Sequence, residues 1–150
     1  MIPHKWIVAA VRNHFTANVT LLSSTLVEST GYRIDPRGQD KWARIEVLNS
    51  KRMPKRTGDF ERSVLRVVFS VWVKPTSNLY EHQKIAAQIA ASFDNACVAI
   101  LDRSASGMPE IGKIRFKEPS TRNMTPAGED RLRTSTRHIV VSVSATAQEN

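Results

Sequence analysis

The chain has 150 residues, 41% of them hydrophobic and 24% charged, the proportions of a single globular domain. No apolar run approaches the ~18–20 residues that cross a bilayer, and the short run after Lys5 meets charge again at Arg12, so neither membrane insertion nor a signal peptide is expected. Twenty-two Lys and Arg against 14 Asp and Glu give a net charge of +8, an electrostatic preference for phosphates or acidic protein surfaces.

A chain of this length buries about 68–70% of its unfolded surface and needs no staple. The single Cys97 excludes an internal disulfide and a Cys-rich metal site.

Taken in order, residues 4–17 place Trp6, Ile7, Ala10, Val11, His14 and Phe15 at i, i+3, i+4 spacing and predict an amphipathic helix, with His14 packed beside its apolar stripe. Residues 19–28, rich in Val, Leu, Ser and Thr, predict a strand or an extended arm. Gly31, Asp35–Pro36 and Arg37–Gly38 mark a turn-rich connection. Residues 41–49 predict a short strand with Ala43, Ile45 and Val47 on one face and Trp42, Arg44, Glu46 and Leu48 on the other.

The centre of the chain is 60–73, a long strand. Leu65, Val67, Phe69, Val71 and Val73 form one strongly apolar face; Arg62, Val64, Arg66, Val68, Ser70 and Trp72 form a mixed one. Burying the five apolar residues contributes on the order of 7–15 kcal/mol before entropy is subtracted. Between this strand and the preceding one, Pro54 and Gly58 punctuate a basic loop, so a long hairpin is expected with the loop projecting beyond the sheet. Lys51, Arg52, Lys55, Arg56, Arg62 and Arg66 face only Asp59 and Glu61 in this stretch, a local net of +4.

Pro75 ends the strand, and 80–96 switches to helical spacing with Ile85, Ile89, Phe93 and Cys97 every fourth residue. On that stripe Cys97 reads as a small buried hydrophobe. Residues 113–117 alternate again, Ile114 and Phe116 inward and Lys113, Arg115 and Lys117 outward, a second basic row. Residues 118–137 are almost devoid of apolar side chains and predict a mobile polar loop holding Glu129 and Asp130. The last strand, 138–147, alternates Ile139, Val141, Val143 and Ala145 with serines and threonine. Together these elements predict one domain over 1–150 of α/β (α+β) class: a mixed, mostly antiparallel sheet with two helices on one face.

The chemistry-bearing patterns are missing. There is no Gly-rich phosphate loop, no HxxxH or HExxH pair among His4, His14, His82 and His138, and no GxSxG elbow. No catalytic, metal or cofactor-binding residue is predicted, and an enzyme is not expected. Trp42 and Trp72 on mixed faces beside arginines open two readings. Exposed aromatics can stack bases, the mode of a small nucleic-acid-binding module. They can equally pack against a second layer or a neighbouring subunit, which avoids leaving two large rings in water.

The order helix, strand, basic loop, long strand, helix and late strand pair carries the segments Trp42-Ala43-Arg44-Ile45-Glu46-Val47, Arg56-Thr57-Gly58, Phe69-Ser70-Val71-Trp72-Val73-Lys74 and Leu79-Tyr80-Glu81-His82. With Lys113-Ile114-Arg115-Phe116 and the strand over 139–147, the pattern resembles the tail terminator proteins of long-tailed bacteriophages across residues 4–147. The resemblance implies a non-enzymatic virion protein without cofactor, made in the host cytoplasm and sited at the tail–neck junction. Such subunits form a homo-oligomeric, hexameric ring that stops tail-tube polymerisation. The ring meets the tail tube protein on one side and a neck or connector protein on the other, while genomic DNA passes through without sequence-specific binding. Another head–tail connector, a neck adaptor or stopper, has the same size and habit. In that frame Lys51, Arg52, Lys55, Arg56, Arg62, Arg66, Trp42, Trp72, Glu129 and Asp130 are the candidate assembly contacts.

Overall fold

The computed structural model describes residues 2–53, 62–75, 78–125 and 135–150, with 49–53 as backbone only. In chain order the elements are α1 (His4–Asn18), a 3-10 turn (Ser24–Leu26), β1 (Val27–Glu28), β2 (Lys41–Met53), β3 (Arg62–Val73), α2 (Glu81–Phe93), β4 (Cys97–Leu101), β5 (Glu110–Phe116), β6 (Ser120–Asn123) and β7 (Arg137–Glu149). The strands form one sheet in the order β1-β2-β3-β7-β5-β4, with β6 also paired to β7. The β1–β2 pair is parallel and the others antiparallel. This is the expected mixed, mostly antiparallel sheet with two helices on one face.

The period-two pattern decides which face is covered. Phe69 lies between Ile45 and Val141, Val71 between Ala43 and Ile139, and Val67 between Val47 and Val143, and all of these are buried. Ile7, Val8, Val11 and Phe15 of α1 and Ile85, Ala86, Ile89 and Phe93 of α2 close over that face. A run of aromatic contacts joins the layers. Phe15 stacks on Phe69 at 5.7 Å, Phe69 meets Phe93 at 4.6 Å, and Phe93 meets Phe116 edge-on at 5.0 Å. His14 is half-buried as expected: its Nε2 lies 2.7 Å from the Ser92 carbonyl, its ring edge-on to Phe93. At Gly112 a Cβ would stand 2.5 Å from the Gln148 carbonyl oxygen, so the β5–β7 pairing needs glycine there.

Three expectations are corrected. Residues 19–28 are not one strand; they run irregularly through the 3-10 turn into the two-residue β1. They are held by Arg12 instead, which donates to the Val27 and Ser24 carbonyls and to Ser29 Oγ while stacking on Tyr32 at 4.0 Å. Gln88 pins the start of the segment through the Leu21 amide and Thr20 Oγ1. Side-chain ties from two helices thus replace the ladder that β-branched composition suggested.

Cys97 is the second correction. α2 stops at Phe93, and Asn95 takes a left-handed conformation (φ 50°) that turns the chain into β4, leaving Cys97 exposed on a strand. Its fit to the fourfold spacing was a coincidence of position.

The polar stretch 118–137, expected to be one mobile loop, is the third. Its first part is β6, paired residue by residue with Ser142 to Ile139 of β7, and its last residue, Arg137, is fully buried at the start of β7. All four β6 residues are exposed. Backbone hydrogen bonds without burial leave no hydropathy signal. Residues 126–134, with Glu129 and Asp130, lie outside the described residues.

Candidate functional site

The face of the sheet turned away from the helices holds the predicted contacts that the structure describes. Across it, residues fall into rows set by the register. Trp42, Trp72 and His138 form the first row; Arg44, Ser70, Val140 and Arg122 the next; then Glu46, Val68, Ser142 and Ser120. Leu48, Arg66 and Ser144 follow, with the Lys117 amide donating to the Ser144 carbonyl. Val64, Thr146 and Arg115 come next, and Arg62, Gln148 and Lys113 end the series.

The first row is a stack of three rings. Trp42 lies on Trp72 at 5.9 Å and 16°, and Trp72 on His138 at 4.7 Å and 12°. Arg44 places its guanidinium carbon 5.4 Å from the centre of the Trp72 ring. Both tryptophans are half-buried. The rings shield one another: Trp72 has an aromatic neighbour on each side and offers no free face for a base. Sequence reasoning found the two tryptophans and missed His138, because it stands 66 residues beyond Trp72 and only the β3–β7 register brings them together. Burial lowers the His138 pKa, and its Nε2 has no hydrogen-bond partner among the described residues. Thr125 holds the adjacent backbone, accepting from the His138 amide at 2.8 Å.

The remaining rows are basic. Arg44, Arg62, Arg66, Lys113, Arg115, Lys117 and Arg122 are all exposed there, with the Glu46 carboxylate on the same rows and Glu110 and Glu149 bordering them beside Lys113 and Arg115. Lys113 has the exposed Glu110 carboxylate 3.7 Å away; the other six make no ion pair among the described residues. Arg66 leans over β7, its Nε donating to Ser142 Oγ at 3.0 Å. Thus Arg62 and Arg66, expected on the outward face of the long strand, join the separate row of Lys113, Arg115 and Lys117. At the end of this surface an open cavity of about 260 Å³ is lined by Lys113, Arg115, Gln148, Glu149 and Asn150.

Lys51 and Arg52 lie on the backbone of β2, opposite Val64 and Ser63, past a register shift after Asn49; their side chains lie outside the described residues, as do Lys55 and Arg56. Among the described residues no group of three or more His, Cys, Asp or Glu is placed to hold a metal ion, and no helix is long and apolar enough to cross a membrane.

Behind the sheet, two buried polar side chains also escaped sequence reasoning. His82 on α2 is fully buried with neither ring nitrogen hydrogen-bonded among the described residues. Its burial, and secondarily the charge of Arg137, lower its pKa. The Nη1 of Arg137 donates to the Asn78 carbonyl at 2.7 Å, tying the start of β7 to the approach of α2. Lys41 Nζ reaches Glu81 at 2.9 Å at the same end of the molecule.

No protein-family model and no curated protein matches the chain. Among solved structures, a chain of the "Virion of native gene transfer agent (GTA) particle" has a TM-score of 0.62 at 16% identity, over 95% of this chain and 94% of that one. A second solved structure has a TM-score of 0.58 at 15% identity, over 100% of this chain and 97% of the other. The fold is shared end to end. At such identities the likeness is one of fold, and it says nothing of individual residues.

Proposed function

We propose that this chain is a structural protein of a phage-like virion, a tail terminator that forms a ring at the head-proximal end of the tail tube, ends tube growth and offers a joining surface to the neck. The observation that carries the reading is the likeness in fold, over nearly the full length of both chains, to a chain of a gene transfer agent virion. The sequence resemblance to tail terminators supplies the finer role. The sheet supports self-association too. Among the described residues, β1 covers β2 at Ala43 and Arg44, and β4 ends the strand order on the other side. Two edges without a further strand among the described residues, on opposite sides of one sheet, suit a head-to-tail contact, which closes into a ring when the rotation between copies allows it.

Light scattering on the purified protein up to ~500 µM, alone and with tail tubes, tests the reading. A six-subunit particle, or a subunit that forms rings on the tubes, is the expected outcome. A chain that stays single in both conditions, or one that turns over a substrate, overturns it.

A further inference from the structure

Among the residues with described side chains, charge is not spread evenly over the surface. Of these, the rows of the outer sheet face carry seven Lys and Arg against Glu46, with Glu110 and Glu149 bordering them beside Lys113 and Arg115, while the rest carry nine Lys and Arg against seven Asp and Glu. A surface charged merely for solubility intersperses both signs. From this asymmetry we infer that the outer face of the sheet is a binding surface for double-stranded nucleic acid, held through its phosphate backbone.

The register gives the surface its shape. Arg62 and Arg66 on β3 and Lys113, Arg115 and Lys117 beside β5 form two cationic walls. Between them runs β7, whose residues on this face, Ser144, Thr146 and Gln148, are uncharged hydrogen-bond donors. At about 4.8 Å per strand the walls stand about 10 Å apart, with cations repeating about every 6.8 Å along β5. Cations flanking a floor of hydroxyl and amide donors match the non-bridging oxygens of a phosphodiester chain.

The aromatic row decides the kind of nucleic acid. Its central ring, Trp72, is covered on both sides and each end ring on one, so a single strand with exposed bases finds a poor stacking platform here. A duplex keeps its bases inside and presents one charge per about 1.7 Å of axis, a density that acidic protein surfaces do not reach. Binding is therefore independent of sequence and steeply dependent on salt. The inference stands on the charge and register of one subunit and does not require the ring.

The test is fluorescence anisotropy of the full chain with two labelled DNA duplexes of unrelated sequence, titrated between about 50 and 200 mM salt. Micromolar affinity at the lower salt is expected, equal for both sequences and falling with a log–log slope of about 0.9 per phosphate contact. Changing Arg66→Gln, Arg115→Gln and Lys117→Gln together should weaken binding about a hundredfold or more at ~100 mM salt and flatten the slope by about 2.7. Lys84→Gln, exposed on α2 behind the sheet, should change neither the slope nor the affinity beyond long-range screening. Because all three substituted side chains are exposed, thermal melting confirms that the triple variant is folded. Absence of binding at about 50 mM salt, retention of wild-type affinity by the triple variant, or displacement by polyglutamate as effective as by unlabelled duplex each overturns the inference. The last outcome assigns the surface to an acidic protein.

Discussion

On the helix side of β3, Leu65, Val67, Phe69, Val71 and Val73 are at most 1% exposed, and Val67, Phe69 and Val71 are flanked by apolar residues of both β2 and β7. On the other side of the same strand, Arg62 and Arg66 are exposed and Trp72 is half-buried in a stack of its own. The two faces share one backbone and one register. They differ in what holds them: one is closed by helices and excludes water, the other is organised by a local ring stack and by charge. Stability is therefore concentrated on the first face, and the binding surface proposed above lies on the second.

Phe69→Ala probes that division most severely. It removes the ring that touches both Phe15 and Phe93, and should cost about 3–5 kcal/mol in urea or thermal unfolding. A cost below ~1 kcal/mol would show that the aromatic run is not the centre of the core. Trp72→Ala should cost less, about 1–2 kcal/mol, because the ring is half-exposed and its stacking is the larger share of what is lost. A loss equal to that of Phe69→Ala would mean that the outer face carries a second core, and the contrast between the faces would fail.

The smallest effect is one of pH. Burial holds His82 and His138 below the ordinary histidine value. Well above about pH 6.5 both residues are neutral folded and unfolded, and they contribute no pH dependence. As the pH falls through about 6.5 the unfolded chain takes up their protons first, so stability declines until the folded pKa values are reached. Melting should therefore be highest above about pH 7 and fall towards pH 5. His82→Leu should flatten that acid-side fall, since it removes a buried group that makes no hydrogen bond among the described residues. An unchanged slope in this variant would place the acid sensitivity elsewhere.

Much of the first face was legible in the amino-acid order. The spacing of Ile7, Val11 and Phe15 and the alternation around Phe69 and Val141 predict the two helices and the long strands to within a few residues at each end, because burial repeats with the period of the backbone. β6 was not legible, since Ser120–Asn123 gains hydrogen bonds and no burial. The fixed path of 19–28 was not legible either, because Arg12 of α1 and Gln88 of α2 organise it. Of the candidate contacts, Arg62, Arg66, Trp42 and Trp72 could be assigned to an outer face from alternation alone. Their neighbours could not.

In the long strands, sequence by itself determined the face on which each side chain stands, for that is a local consequence of a period of two. Tertiary structure alone decided which strands lie side by side. β7, arriving from the end of the chain, slots between β3 and β5, sets His138 against Trp72 and brings two basic rows to opposite sides of one hydroxyl-lined floor. That pairing follows from how the apolar faces of distant strands close over one core, a condition on the whole chain that no single segment carries.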